Sequence, residues 1–275
     1  MGYSPELIQT LQEKARVMRI RSLKMIHAAK SGHPGGSLSA AELISCLFFH
    51  ELKHDPKRPD DPDRDRFILS KGHGCPILYS AFLETGYLRE DEALTLRQLG
   101  SRLQGHPDRR FMPWLEASTG SLGQGLSIGI GLALGNKLDK RSARSYVILG
   151  DGECDEGQVW EAAMFAGFHK VSNLLCIVDY NKIQLDDRVE VIMNLDPLTD
   201  KWKAFGWNVL RIDGHNVTAI LDALAAAKKE TTKPTVIVAD TVKGKGVSFM
   251  ENQVKFHGVA PTDEELKKAL VELGA

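Results

Sequence analysis

This sequence predicts an α/β fold, a parallel sheet with helices on both faces, and three observations predict it. Four short runs, SYVILG, NLLCIVDY, WNVLRI and PTVIVADT, are apolar and rich in β-branched residues, and stretches with helical spacing separate them. Strands of that kind, alternating with helices, belong to parallel sheets covered on both sides. The composition is that of a chain with ample core material, 43% hydrophobic and 26% charged over 275 residues. No internal repeat, low-complexity tail or linker interrupts it, so residues 1–275 are read as a single domain.

The elements follow in order. From Ser4 to Ala29 there is no glycine or proline after Pro5, and Leu7, Leu11, Ala15, Met18, Leu23 and Ile26 recur at helical spacing. SGHPGGSLS then breaks the helix. Ser39 is expected to cap the next helix, with Glu42 as its capping-box partner. HDPKRPDDPDRDR is a charged, proline-rich surface loop, and Phe67 to Leu69 is a short strand entering SKGHG. Helices are expected over His73–Thr85 and over Leu122–Lys140; the second is full of glycine and alanine, which suits close approach of another backbone. From Ser145 the order is strand, helix (Gly157–His169), strand, helix (Leu198–Phe205), strand, helix (Val217–Lys229), strand.

Bulk properties exclude several roles. Formal charge is −1, from 35 basic and 36 acidic residues, which offers no electrostatic attraction for nucleic acid or an anionic membrane. No apolar run is long enough to span a bilayer, and the N-terminus lacks the regions of a signal peptide. Cys46, Cys75, Cys154 and Cys176 form no CxxC pair and read as reduced thiols of a cytoplasmic protein.

In parallel sheets ligands bind at the carboxyl ends of strands. GDG (150–152) follows one strand and DYN (179–181) follows the next. If those strands are neighbours, Asp151 and Asn181 meet on one rim. A carboxylate, an amide and the Ile183 carbonyl suit a hard, oxygen-binding cation such as Mg²⁺. Two ordinary βα turns would give the same spacing. An EF-hand is excluded by register and a dinucleotide fingerprint by the missing GxGxxG. Four histidines stand in small-residue breaks: His33 in SGHPGG, His73 in SKGHG, His106 in QGHPD and His257 in KFHGVAP. Together they suggest a polar pocket floor that binds oxygens and moves protons, rather than a metal site. His27, His50, His54, His169 and His215 carry no such context. TGSLGQG (119–125) and TVKGKG (241–246) are further glycine-rich turns; the second reads equally as a phosphate-facing or a mobile surface loop.

Taken together, GHPGGSLS, DRFILSKGHG, QGHPD, TGSLGQG, the GDG-to-Asn stretch, DYNKIQLD, KGKGVSFMEN and FHGVAP resemble the transketolase family, in its order and over residues 33–261. GDG with a downstream Asn is shared by thiamine diphosphate enzymes generally; the histidine loops are the transketolase feature. The resemblance implies the thiamine-diphosphate-binding fold, on its diphosphate side. It implies that Asp151, Asn181 and the Ile183 carbonyl bind Mg²⁺ or another divalent ion holding thiamine diphosphate. Gly152, His73 and His257 would meet the diphosphate, and Gly120 and Leu122 the aminopyrimidine side. His33, His106 and His257 would line the substrate channel, and His73 is counted with them in catalysis. Glu156 matches an acidic position near the dimer interface; it is counted with the cofactor-binding residues and would join a proton relay. The implied activity is transfer of a two-carbon ketol unit from a ketose phosphate to an aldose.

The chain departs from full-length transketolases in stopping after this first domain. The family's activating glutamate and several sugar-phosphate contacts lie in the pyrimidine-binding domain that follows. The expectation is therefore an N-terminal subunit of a split transketolase, active with a C-terminal partner subunit in an α2β2 heterotetramer. A smaller departure is Asp187, where the family has glycine. Three alternatives remain: a split transketolase for an unusual sugar (a branched pentulose phosphate or sulfosugar), an alpha subunit of another thiamine diphosphate enzyme, and a non-catalytic binding module. The histidine loops argue against the second, and the intact motifs against the third.

Overall fold

The computed structural model describes residues 2–275. Its first helix, α1 (Pro5–Ala29), opens with Ser4 Oγ accepting the Leu7 N–H at 3.2 Å and with proline in the first turn. Lys30, in a left-handed conformation, ends it. SGHPGGSLS is more helical than its glycines suggest: α2 (Pro34–Ser39) and α3 (Ala41–Cys46) follow at once, joined at Ala40.

The expected Ser39–Glu42 capping box does not form. Both side chains are buried and answer to buried charges instead. Ser39 Oγ donates to Asp179 Oδ2 at 2.6 Å, and Glu42 takes both ends of the Arg19 guanidinium at 2.6 Å. A buried charge without a partner costs more than a lost cap.

Strand β1 (Arg66–Leu69) leads through a single tight turn at Gly72–Gly74 into α4 (Cys75–Thr85), so His73 lies just before that helix and not within it. The glycine-rich helix α5 (Gln124–Leu138) begins two residues later than expected, because Gly123 is left-handed. Then come β2 (Ser145–Gly150), α6 (Gly157–Phe168), β3 (Leu174–Tyr180), the single turn α7 (Val189–Ile192), α8 (Leu198–Ala204), β4 (Asn208–Asp213), α9 (Val217–Lys229) and β5 (Thr235–Asp240). A last helix, α10 (Asp263–Glu272), adds to the expected elements, and Thr262 and Glu265 form a reciprocal capping box at its start.

All five strands are parallel, in the order β1-β2-β3-β5-β4. Alternation of side chains along each strand sorts the core into two layers. Tyr146 and Ile148 of β2 pack toward α1, α3, α4 and α9, whereas Val147 and Leu149 pack toward α5, α6 and α8. The β4 edge is half-exposed and carries Arg211, paired with Asp240 at 2.7 Å. A third cluster, Ile20, Leu23, Leu38, Val247, Met250, Phe256, Ala269 and Leu273, lets α10 clamp the segment after β5. TVKGKG is therefore a pinned loop, not a mobile one. Gly150 of β2 pairs with Asp179 of β3, so the GDG and DYN turns start side by side.

Candidate active site

The two turns do converge. Asp151 lies at 2% exposure just past β2, its Oδ1 accepting the Gly152 N–H at 2.8 Å and its Oδ2 accepting the Lys182 N–H. That second bond crosses from one turn to the other. Asn181 is also buried; its Oδ1 accepts the Ile183 N–H at 3.2 Å and its Nδ2 points at Asp179 Oδ2, 3.3 Å away. The Ile183 carbonyl accepts the Lys243 ammonium at 2.6 Å. Asp151, Asn181, Ile183, Gly152, Leu122, His73 and His257 line one cavity of about 170 Å³.

Burial, and after it the charge of Asp179, push the Asp151 carboxyl up to about 7. The charge of Lys243 acts the other way but does not offset this. Carboxylate, amide and carbonyl oxygens are the donors a hard divalent ion takes, and such an ion would relieve the Asp151 burial penalty. Among the described residues no group of three His, Cys, Asp or Glu side chains could hold a metal; one carboxylate, one amide and one main-chain oxygen lie outside that description.

The four histidines form one group. Ring centroids of His33 lie 5.2 Å from His73, 5.6 Å from His257 and 6.1 Å from His106, and His73 and His257 stack at 5.1 Å. All four are held neutral at pH 7. Burial leads in each case; Arg97 comes next at His33 (to about 4) and at His106, Lys243 next at His257 (to about 3), and Lys71 next at His73. An ammonium can only donate, so the Lys243 contact of 2.7 Å makes His257 Nδ1 an acceptor and leaves its hydrogen on Nε2. His33 Nδ1 is buried with no hydrogen-bond partner among the described residues, an orphan that a polar ligand would satisfy.

Glycine brings the histidine loops together. A Cβ on Gly72 would stand 2.7 Å from the Gly120 nitrogen, so SKGHG and TGSLGQG touch backbone to backbone. Gly120 in turn lies against the His106 ring. Glu156 is placed apart from this cavity: it is exposed at the start of α6, beside Gly123.

Four charged residues that bind the site together are not marked out by sequence motifs. Glu153, at 2% exposure, accepts the Gly123 N–H at 2.9 Å, the Gly150 N–H at 3.0 Å and the Ser70 hydroxyl, and so ties three loops. Asp179, fully buried, accepts Lys71 Nζ and the hydroxyls of Ser39 and Thr241. Burial alone would push its carboxyl up; the charge and hydrogen bonds of Lys71, then Ser39 and Thr241, outweigh that and hold it below the usual range. Lys71 and Lys243 are buried ammonium groups. Their traces in sequence are an aspartate at the end of an all-apolar run and lysines inside glycine turns. His215 is a structural link: Nδ1 lies 2.9 Å from Glu42 and Nε2 accepts the Val242 N–H at 2.8 Å.

Comparison with known proteins gives the family. Residues 10–275 match the family described as "Transketolase, thiamine diphosphate binding domain". A 6-deoxy-6-sulfo-D-fructose transketolase subunit of Clostridium sp. (strain MSTE9) is 46% identical over 96% of both chains. One subunit of the apulose-4-phosphate transketolase of Phocaeicola vulgatus is 38% identical over 97% of this chain and 94% of that one. The crystal structure of transketolase from Campylobacter jejuni superposes with a TM-score of 0.92 at 37% identity, over 97% of this chain and 43% of that longer one. The chain belongs to the transketolase family and corresponds to its N-terminal, thiamine diphosphate-binding portion, which in the Clostridium and Phocaeicola relatives is one subunit of a split enzyme.

Proposed function

We propose that this chain supplies the diphosphate side of a transketolase active site completed by a C-terminal partner subunit. The observation that carries the reading is the meeting, in one cavity, of the Asp151–Asn181–Ile183 oxygens with neutral His73 and His257, against which His33 packs. Thiamine diphosphate, when bound, supplies the carbon that accepts and passes on the two-carbon ketol unit. The chain's own residues do the rest. Asp151, Asn181 and the Ile183 carbonyl hold Mg²⁺ or another divalent ion; Gly152, His73 and His257 meet the diphosphate; Gly120 and Leu122 shape the wall beside it.

His33, His106 and His257 bind the sugar oxygens. A neutral imidazole can hydrogen-bond an alkoxide as its charge develops through its N–H, and can take up a proton on its other nitrogen, which a permanently cationic group cannot do. Glu156, outside this cavity, is assigned to the subunit boundary, where it would face the partner's half of the site.

The partner is assigned to the face formed by α5 and α6. On α5, Gly131 and Gly135 look into open space, and on α6 Met164, Phe165 and Phe168 are exposed. A smooth, apolar two-helix face of this kind suits association with other subunits, in the α2β2 arrangement expected above. The four cysteines are buried and unpaired, which fits a reducing cytoplasm, and among the described residues no helix is long and apolar enough to cross a membrane.

The test is reconstitution: this chain, a C-terminal transketolase subunit, thiamine diphosphate and Mg²⁺, assayed for two-carbon transfer from a ketose phosphate. Activity in the mixture and in neither chain alone is expected; full activity from this chain alone would refute the shared site. The 46% identity to a subunit named for 6-deoxy-6-sulfo-D-fructose favours a second reading, in which a sulfosugar is the donor. Offering sulfosugar and sugar phosphate to the same mixture decides between them.

A further inference from the structure

We propose that Arg97 is a positioning residue, a strut that holds the loop of His33 and the loop of His106 at a fixed spacing across the substrate channel. The inference rests on the reading of those two histidines as groups that bind the sugar oxygens. Arg97 Nη1 donates to Ser31 Oγ at 3.1 Å, and Nη2 donates to the Gly105 carbonyl at 3.3 Å. Ser31 stands two residues before His33, and Gly105 one residue before His106. Among the described residues no other side chain hydrogen-bonds to both loops. The guanidinium also packs against the backbone it holds: a Cβ on Gly105 would stand 2.8 Å from Arg97 Cζ, so glycine there leaves room for the strut.

The base of the strut is itself fixed. Arg97 has φ 60°, a left-handed conformation that a residue other than glycine keeps only where its surroundings impose it. Its N–H donates to the Leu103 carbonyl at 2.8 Å, and Leu96 and Leu103 are buried. From that anchor the planar fork of an arginine reaches two acceptors at once, which the single ammonium of a lysine does less well. No carboxylate pairs with this guanidinium among the described residues, so its charge acts on the rings it spaces. His33 is faced by Arg97, Lys243, His73, His106 and His257, and His106 by Arg97 and His33. Asp108, in the loop of His106, is taken by Arg110 at 2.6 Å. After burial, the charge of Arg97 is the largest influence keeping both rings neutral. One residue therefore sets both the spacing and the protonation of a pair whose rings stand 6.1 Å apart.

The experiment compares wild type with Arg97→Met, Arg97→Lys and Ser31→Ala in the full chain, reconstituted with a C-terminal transketolase subunit, thiamine diphosphate and Mg²⁺. In Arg97→Met, kcat/KM falls by about 10–100-fold, the loss that a misplacement of about 1 Å brings, while thiamine diphosphate affinity stays within twofold of wild type. The acid limb of the kcat/KM profile moves to higher pH, because without the neighbouring charge the imidazoles protonate more readily. Arg97→Lys keeps the charge and loses the fork, so its acid limb stays in place while its rate falls. Ser31→Ala breaks one end of the strut; its rate lies between wild type and Arg97→Met, and it serves if the methionine variant folds poorly. Proton NMR of the histidine rings in the isolated chain gives a readout independent of activity: the His33 and His106 signals titrate at higher pH in Arg97→Met than in wild type. The proposal is overturned by a kcat/KM within twofold of wild type in both Arg97→Met and Ser31→Ala, by a cofactor affinity that falls as far as kcat/KM does, or by ring titrations that do not move. A wild-type mixture without activity overturns the proposed function instead, and the ring titrations still decide on Arg97.

Discussion

Replacing Glu153 by alanine is expected to loosen the loops that frame the site. The glutamate accepts two backbone N–H groups, from Gly123 and Gly150, and the Ser70 hydroxyl. Each N–H stranded in the interior costs about 1–3 kcal/mol. The hydroxyl can rotate to another acceptor and is not counted. Two stranded donors therefore cost about 2–6 kcal/mol. Against this stands relief from burying a carboxylate, whose pKa burial pushes up despite its three hydrogen bonds. A net loss of about 3 kcal/mol is a reasonable balance, and for a chain of this size it lowers Tm by about 6 °C.

The same loss should reach the cofactor site. Glu153 joins the turn after β2 to the loops carrying Ser70 and Gly123, and Gly150 and Leu122 line the cavity. The assay is calorimetric melting of Glu153→Ala beside Glu153→Gln, then cofactor titration of each. The glutamine keeps one acceptor oxygen and should fall between wild type and alanine. A Glu153→Ala protein melting within 2 °C of wild type, with undiminished thiamine diphosphate affinity, would refute the brace.

Other outcomes follow from single contacts. Asp151→Asn should keep the fold and lose the Mg²⁺ dependence of cofactor binding; calorimetric titration with and without Mg²⁺ checks this, and an unchanged dependence removes Asp151 from the clamp. Because burial and Asp179 push the Asp151 carboxyl up to about 7, protons compete with the ion below that pH. Metal affinity should then fall about tenfold per pH unit on acidification and level off above pH 7; a flat profile between pH 5.5 and 8.5 would sink this. Gly129→Ala places a Cβ 2.4 Å from Val147 Cγ2 and should destabilise by about 1–2 kcal/mol by overpacking, whereas a Cβ on Gly131 meets nothing within 4 Å. Gly131→Ala should therefore stabilise the isolated chain by up to about 1 kcal/mol through helix propensity yet weaken association with the partner chain, read by melting and by sedimentation.

What can be read from the sequence is whatever leaves a local mark. Strands β2, β3 and β5 are apolar through their middles, and the breaks that carry His33, His73, His106 and His257 are spelled out in glycine and proline. What stays hidden depends on partners far along the chain. Lys71 and Asp179 are 108 residues apart and Glu42 and His215 are 173 apart, and no periodicity links them. Ser39 makes the point sharply. Its local context, with Glu42 three residues on, is that of a helix cap, and local energetics would have made it one. It is instead one of several donors to Asp179, because an aspartate at the end of a buried strand must be paid in hydrogen bonds wherever they can be found. Local rules lose in this way where charge is buried, and here charge is buried around the clamp. The residues that sequence patterns misplace are therefore concentrated at the site, and a charged residue ending an all-apolar strand is the place to look for them.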